Sequence, residues 1–344
     1  MSKGEVIRIG IAGAGFIGAI HAAGYAHNPR ARLTAVADIR PEKAGALAAQ
    51  YGLKSYPTLD AMLAAEKLDA IDICLPSSCH REAVVKAAAA GLHILVEKPF
   101  AITLEDIDAM IAAVEAGGVR LMVAHVCRFM PEYMVAKSLL AEGKLGRPLF
   151  FGAWRESATP GWSWNNWLLD RRQSGGTIMD LQIHDIDLSN WLLGEPVSFY
   201  MQEVMAPGRP GPAHVVSNLI YTNGAMASLE AGHLMPPSYP FTTGYRLVGE
   251  EGAVEFMSPR AGEKQVLVYR GDEVTTIDGN RLPAVLAGDP YAEELAHFVD
   301  CLLTGAPFRV TPMEARLAVA TVLKLVASFT RGNLDAPATV TGER

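Results

Sequence analysis

Short apolar runs alternate with alanine-rich stretches through the first third of the chain. The apolar runs have the length of buried strands, and the stretches between them have the apolar spacing of helices. Such alternation is typical of βαβ units that build a parallel sheet. The predicted strands are 6–12, 33–37, 70–75, 94–96 and 121–124, and the predicted helices are 16–27, 41–51, 59–65, 80–90 and 104–116.

The pattern changes after about residue 145, where polar and apolar residues alternate in runs that are joined by turn signals. Asn223-Gly224 lies between two such runs, and this pair favours a two-residue hairpin turn. Alternation of this kind predicts a largely antiparallel sheet. The predicted hairpins span 215–231, 245–257 and 265–277, and the predicted helices span 291–303 and 312–330.

Length, charge and cysteine content limit the possible classes of protein. The 344 residues carry a formal net charge of −7 and are 50% hydrophobic. A chain of this length is expected to form two domains, here predicted as residues 1–126 and 127–344. The acidic balance argues against binding nucleic acid, and no apolar run reaches the ~18 residues of a membrane span. Four cysteines without zinc-ligand spacing predict no metal site, and the direct entry into a strand predicts a cytoplasmic protein.

A glycine-rich motif connects the first predicted strand to the first predicted helix. Glycines let the backbone turn tightly and approach a pyrophosphate, although an ordinary tight turn is the alternative. Asp38 ends the second strand, where it can accept hydrogen bonds from ribose hydroxyls, so NAD is favoured over NADP. Arg40 either faces a 2′-phosphate or lies in solvent. The candidate cofactor-binding residues are Gly13, Gly15, Phe16, Ile17, Gly18, Asp38 and Arg40.

Two later strands also end in polar residues. Glu97 and Lys98 follow the fourth predicted strand, and ligands bind at the carboxyl ends of parallel strands. Lys98 is therefore a candidate for chemistry and, with Glu97, for cofactor contact, although most lysines are solvated surface residues. The strand before it contributes Pro76, Ser77 and His80 as further cofactor contacts. His80 has the alternative of only capping its helix.

Asp180 and His184 lie four residues apart in a predicted helix that runs towards Gly194. Side chains at this spacing share one helix face. Between apolar neighbours, the pair is either catalytic or a structural polar pair. A metal site is disfavoured because no third ligand stands at a recognisable spacing.

Together the three motifs resemble the glucose-fructose oxidoreductase and inositol dehydrogenase family, often written Gfo/Idh/MocA. The resemblance covers essentially the whole chain and implies that Lys98, Asp180 and His184 are the catalytic residues. It also implies an α/β Rossmann N-terminal domain and an α+β C-terminal domain with a large open, mainly antiparallel sheet that forms homodimers or homotetramers. A cis Lys98–Pro99 bond is a further implication that the sequence does not show.

The expected reaction is NAD-dependent hydride transfer from a secondary alcohol of a sugar, cyclitol or related polyhydroxy compound. His184 is the expected general base, Lys98 donates to the same oxygen, and Asp180 orients either the lysine or a substrate hydroxyl. Arg128, Arg155 and Trp167 are candidate substrate contacts, together with Asp180 and His184, although a structural ion pair is an equal alternative for Arg128. Four of the five tryptophans lie within 154–167, where they either form a wall of the site or pack in the core or a subunit interface. The alternatives are a glycosidase that reduces and reoxidises NAD in each turnover, and a non-enzymatic dinucleotide-responsive or sugar-responsive regulator.

Overall fold

The computed structural model describes residues 6–205, 212–258, 265–278 and 289–329. The first part of the chain forms a six-stranded sheet with helices between its strands. The strands are β1 (Ile7–Ala12), β2 (Ala31–Ala37), β3 (Lys54–Tyr56), β4 (Ala70–Ile73), β5 (His93–Glu97) and β6 (Leu121–Ala124). The helices are α1 (Phe16–Ala26), α2 (Pro41–Tyr51), α3 (Leu59–Ala65), α4 (His80–Ala89) and α5 (Leu104–Ala116).

The order of the strands in this sheet places a crevice at its centre. The order is β3-β2-β1-β4-β5-β6, and all neighbouring strands are parallel. β4 is buried along its whole length, as expected for a strand with helices on both faces. Because the order reverses between β1 and β4, the carboxyl ends of these two strands open onto the position where such sheets bind ligands.

The hydrophobic pattern predicts five of the six strands and all five helices of this part. β3 was not predicted because its residues, Lys54, Ser55 and Tyr56, form a short edge strand without an apolar run. The second strand begins at Ala31, two residues earlier than predicted.

The second sheet has eight strands in the order β14-β13-β12-β11-β7-β10-β9-β8. The strands are β7 (Pro148–Ala158), β8 (Pro196–Met205), β9 (Pro212–Tyr221), β10 (Met226–Met235), β11 (Thr242–Gly249), β12 (Ala253–Met257), β13 (Gln265–Arg270) and β14 (Glu273–Asp278). Further helices are α6 (Pro131–Ala141), α7 (Arg171–Ser174), α8 (Ile183–Leu193), α9 (Pro290–Thr304) and α10 (Pro312–Ser328). β7 and β10 are parallel, whereas every other neighbouring pair is antiparallel.

The predicted fold class is confirmed, and so are the three predicted hairpins. β7, β8 and α6 were not predicted. The last predicted helix is described only to Ser328, and its expected final residue lies outside the described part of the chain.

One face of the second sheet packs against helices. The strand register brings Phe151, Tyr245 and Phe256 to this face, where all three side chains are buried. Tyr133 of α6 lies over them, with its ring centroid 5.2 Å from that of Tyr245. The Tyr245 hydroxyl donates to the carbonyl of Glu132 at 2.6 Å, so this polar group is satisfied inside the core.

α9 returns to the first domain and packs against α1. The two helices approach closely at Gly24, where a Cβ atom would lie 2.6 Å from Leu295 Cδ1. Among the helices described by the structure, we find none that is both long and apolar enough to cross a bilayer.

We predict that Gly18→Ala lowers the free energy of unfolding. An added Cβ would lie 1.9 Å from the carbonyl oxygen of Gly13, so the turn between β1 and α1 would have to shift. Urea unfolding followed by circular dichroism measures the change.

Gly45→Ala in α2 is the matched control. A Cβ at that position meets nothing within 4 Å. We expect it to raise stability by about 0.5–1 kcal/mol, because alanine is the better helix former. Equal unfolding midpoints for the two variants would contradict the proposed close contact at Gly18.

Candidate active site

A cavity of about 840 Å³ lies between the two sheets. The carboxyl ends of β1, β2, β4 and β5 form one wall, and β7, β10 and the start of α8 contribute to the other. The predicted site residues that line it are Gly13, Gly15, Phe16, Ile17, Asp38, Arg40, Pro76, Glu97, Lys98, Trp167, Asp180 and His184.

The turn between β1 and α1 has the shape that a phosphate group needs. Gly13 has a φ of +104°, and a Cβ there would lie 2.4 Å from the carbonyl oxygen of Cys74. In contrast, a Cβ at Gly15 would meet only Arg40 Nη2, at 3.7 Å, so the backbone of Gly15 is open to the cavity. α1 begins there without a side-chain cap. Its first N–H groups therefore fit the pyrophosphate of a dinucleotide. Gly18 supports the turn without lining the cavity.

Asp38 is held by four hydrogen bonds. One oxygen accepts from Arg40 N at 2.8 Å and Arg40 Nε at 2.9 Å. The other accepts from Ala14 N and Arg40 Nη2, both at 2.8 Å. Burial raises the pKa of Asp38, but the hydrogen bonds from Arg40 and Ala14 outweigh burial and hold this pKa below its ordinary value. A carboxylate has about four lone-pair sites, so a ribose hydroxyl reaches Asp38 only by displacing the Arg40 side chain.

Lys98 joins the two domains at the cavity. It follows β5 and precedes Pro99, with a cis bond between them, as the resemblance implied. Its Nζ donates to the main-chain oxygen of Asp180 at 2.8 Å and to Asp180 Oδ1 at 3.1 Å. Two of the three ammonium hydrogens are thereby used, and the third remains for a ligand.

The spacing of Asp180 and His184 predicted that both lie in one α-helix, but Asp180 does not lie in an α-helix. It belongs to a π-helical turn, Ile178–Gln182, which leads directly into α8. Such turns are rare and occur often at functional sites. Both side chains nevertheless line the cavity.

His184 presents one ring nitrogen to the cavity. Its Nδ1 lies 3.6 Å from Cys127 Sγ, which leaves Nε2 as the nitrogen available to a ligand. Burial lowers the pKa of His184 well below its ordinary value, and the charges of Lys98 and Arg155 act in the same direction. The ring is therefore neutral at neutral pH and can accept a proton.

Two predicted cofactor contacts on the turn after β4 are corrected. Ser77 and His80 are buried and do not line the cavity. The ring nitrogens of His80 lie 3.0 Å from the carbonyl oxygen of Pro99 and 2.9 Å from that of Leu75. His80 therefore connects the segments that follow β4 and β5, instead of touching a ligand.

Two predicted substrate contacts are also corrected. Arg128 is 1% exposed and donates to both carboxylate oxygens of Asp187, at 2.8 and 2.7 Å. Arg155 is 3% exposed and donates in the same way to Asp185, at 3.1 and 2.9 Å. Neither side chain lines the cavity. Each guanidinium is matched by a carboxylate of α8, a pairing that linear spacing does not reveal.

Several residues of the cavity wall were not predicted. Ser157 lies near the end of β7 and His233 near the end of β10, with Ser157 Oγ 2.8 Å from His233 Nδ1. The pairing of these two distant strands left no local signal in the sequence. Trp162 and Trp164 line the cavity and belong to the tryptophan-rich segment that was expected either to form a wall of the site or to pack in the core. Tyr239, Phe241 and Tyr291 also line the cavity and were not predicted.

A buried polar cluster lies beneath the glycine turn. His21, Asp72 and Cys74 place potential metal-ligand atoms within 4.8 Å of one another. His21 Nδ1 lies 2.8 Å from Asp72 Oδ2, and both side chains are fully buried. Burial lowers the pKa of His21, but the nearby Asp72 carboxylate outweighs it and raises that pKa well above its ordinary value. The contact is therefore an ion pair that ties α1 to β4.

Comparison with known proteins agrees with this geometry. The NAD-binding Rossmann-fold model of the GFO/IDH/MocA oxidoreductase family matches residues 7–125, and the C-terminal domain model of that family matches residues 133–255. Inositol 2-dehydrogenase of Rhizobium meliloti strain 1021 is 30% identical over 91% of this chain and 94% of its own length. scyllo-Inositol 2-dehydrogenase (NAD⁺) of Bacillus subtilis is 26% identical over 98% of both chains. The crystal structure of UDP-N-acetylglucosamine 3-dehydrogenase from Acidithiobacillus ferrooxidans has a TM-score of 0.79 and 26% identity, and covers 94% of this chain and 97% of that chain.

We predict that Asp187→Asn lowers the free energy of unfolding by about 3 kcal/mol, because the buried Arg128 guanidinium loses the charge of its buried partner and keeps only the partly exposed Glu314 carboxylate. Urea unfolding measures the change. Asp108→Asn is the control, since Asp108 pairs with Arg316 at the surface. A substrate role for Arg128 instead of a structural one would leave the stability of the Asp187 variant close to that of the control.

Proposed function

Since the chain belongs to the GFO/IDH/MocA oxidoreductase family, and is an NAD-dependent oxidoreductase of hydroxyl groups in sugars, cyclitols or related polyhydroxy compounds, we propose that Lys98, Asp180 and His184 catalyse its reaction. The observation that carries the proposal is the meeting of these three side chains in one cavity that also contains the glycine turn. Residues 1–126 serve as the cofactor domain and residues 127–344 as the substrate and oligomerisation domain.

The substrate hydroxyl lies between Lys98 and His184. Nε2 of His184 accepts the hydroxyl proton, for which a neutral ring is required. The third ammonium hydrogen of Lys98 is donated to the same oxygen and stabilises the negative charge that develops there. Bound NAD supplies the acceptor for the hydride that leaves the carbinol carbon.

Two neighbours position these groups. Asp180 holds the Lys98 ammonium through its carboxylate and its main-chain oxygen. When Nε2 accepts a proton, the ring hydrogen must be on Nδ1, where the sulfur of Cys127 accepts it. Burial raises the pKa of Cys127 to about 12, so this sulfur is a neutral thiol.

NAD is held along the carboxyl ends of β1, β2, β4 and β5. The open backbone at Gly15 and the start of α1 receive the pyrophosphate, and Asp38 receives the adenosine ribose. We propose that NAD is preferred over NADP because the Asp38 carboxylate repels a 2′-phosphate.

The substrate end of the cavity suits a polyol. Trp167, Tyr239 and Phe241 offer apolar surfaces for C–H groups, and Ser157 and His233 offer hydrogen bonds for hydroxyls. These contacts replace those that the sequence predicted for Arg128 and Arg155.

A homodimer or homotetramer through the second sheet remains a prediction, as does the cytoplasmic location. The face of this sheet opposite the helices supports the former. On β8, β9 and β10, the large apolar side chains of Tyr200, Val204, Ile220 and Met226 are 50%, 52%, 41% and 47% exposed. Burial of such a patch between subunits would remove this apolar area from water.

We predict that Lys98→Met and His184→Ala each lower kcat for oxidation by about 10²–10⁴-fold, because each removes one of the two groups at the reacting oxygen. The assay follows NADH formation with a panel of cyclitols and sugars at saturating NAD. Asp108→Asn is the control for expression and folding.

The pH profile separates loss of the base from loss of folding. Oxidation needs neutral His184, and the lowered pKa of this ring places the acidic limb of kcat/KM below pH 6.5, the ordinary value for histidine. We expect that limb in the wild type and not in the residual activity of His184→Ala. Full turnover by both variants contradicts the assignment, and sugar release without accumulation of NADH indicates the glycosidase reaction instead.

We predict that Asp38→Ala lowers the ratio of kcat/KM for NAD to that for NADP by about 10-fold to 100-fold, because it removes a hydrogen bond to a charged acceptor. Arg40→Ala is the matched variant. It leaves Asp38 in place and removes the cation nearest to it, so the preference for NAD should persist or increase. If the ratio is the same in Asp38→Ala and the wild type, Asp38 does not read the ribose.

A further inference from the structure

A segment of the second domain reaches across the cavity to the glycine turn. Residues 159–170 leave the end of β7 and bring Trp162 onto Phe16, with ring centroids 4.8 Å apart and an interplanar angle of 36°. In the same segment, the ring of Trp164 lies 5.7 Å from the guanidinium carbon of Arg40. Phe16 and Arg40 follow β1 and β2, the two strands whose ends flank the adenosine half of a dinucleotide site.

The aromatic rings of this segment remain open to solvent although they touch the other domain. Phe16 and Trp162 are each 61% exposed and Trp164 is 43% exposed, and all three line the cavity. Indole rings bury large areas when they pack in a core. These rings therefore present flat apolar surface to the cavity and not to the interior of the protein.

The backbone gives the segment a defined shape. Asn165 and Asn166 both have left-handed conformations, with φ of 49° and 53°. Asparagine is one of the few residues other than glycine that adopts this region readily. Asn166 N also donates to the carbonyl of Ser163 at 3.0 Å. The resulting tight turn separates Trp164 from Trp167, and both rings line the cavity.

We propose that Trp162 and Trp164 form an aromatic roof over the adenosine half of the bound cofactor. The inference rests on the proposed function, since it takes the dinucleotide as the ligand of this cavity. A purine is a flat π-system that stacks on indole rings with little demand on hydrogen-bond geometry. The roof supplies this stacking surface from the second domain, opposite the glycine turn and Asp38.

Arg40 gives the roof a second role. In this structure the guanidinium of Arg40 donates hydrogen bonds to both carboxylate oxygens of Asp38, which are the acceptors for the ribose hydroxyls. When the ribose takes its place, the guanidinium loses its carboxylate partner. The ring of Trp164 is already within the distance of a cation–π contact and receives the released cation.

The test measures binding in the absence of any substrate. Titration calorimetry gives the Kd of NADH, of ADP-ribose and of reduced nicotinamide mononucleotide, which lacks the adenosine half. We expect Trp162→Ala and Trp164→Ala to raise the Kd of NADH and ADP-ribose about tenfold. The Kd of the mononucleotide should not change, and Trp162→Phe should restore most of the affinity because it keeps an aromatic face.

Each outcome has one meaning. Unchanged Kd values for NADH in both alanine variants overturn the roof, as does an equal loss of affinity for NADH and the mononucleotide. Failure of the wild type to bind NADH contradicts the proposed function itself. Because Trp162 is mostly exposed, its variants should keep the wild-type thermal midpoint, which confirms that they are folded.

Discussion

The contact between Lys98 and Asp180 is the interaction on which the rest of the site depends. It joins residues 82 positions apart, one at the end of a strand in the first sheet and the other in a π-helical turn of the second domain. A charged donor with two acceptors makes a stronger bond than a neutral pair, and the site is partly shielded from water. The contact joins the two domains at the cavity, and His184, four residues after Asp180, lies close enough to feel the charge of the same ammonium group.

Two buried ion pairs fix the orientation of α8, and with it the position of His184. Asp185 and Asp187 are buried against Arg155 and Arg128, so the helix cannot rotate without exposing or unpairing a charge. Buried ion pairs of this kind add little net stability compared with apolar packing. Their effect here is geometric, because the rotation of α8 that they set turns the ring of His184 towards the cavity.

Residues that are close in sequence were predictable, whereas those brought together by distant pairing were not. The glycine turn, Asp38 and Lys98 follow strands that have a clear hydrophobic pattern, and their positions follow from the geometry of a parallel sheet. Asp180 and His184 were identified by spacing, although the π turn that carries Asp180 leaves no mark in the sequence. Arg155 was predicted as a substrate contact from the tryptophan-rich segment, and Arg128 from its place after the last strand of the first sheet. Each instead pairs with a carboxylate of α8, 30 and 59 residues away respectively. Ser157 and His233 were also missed, because they come together only through the pairing of β7 with β10, two strands that are distant in the sequence.

The parallel pairing of β7 with β10 bears on how the substrate specificity of this protein can change. In an otherwise antiparallel sheet, it brings the carboxyl ends of two central strands side by side, where Ser157 contacts His233. Lys98 and His184 belong to other elements, since Lys98 follows β5 and His184 lies at the start of α8. Residues at the two strand ends can therefore be exchanged without moving Lys98 or His184. In the function that we propose, the residues that select the substrate and those that handle its proton therefore belong to different elements, so substrate specificity can change while the chemistry is retained.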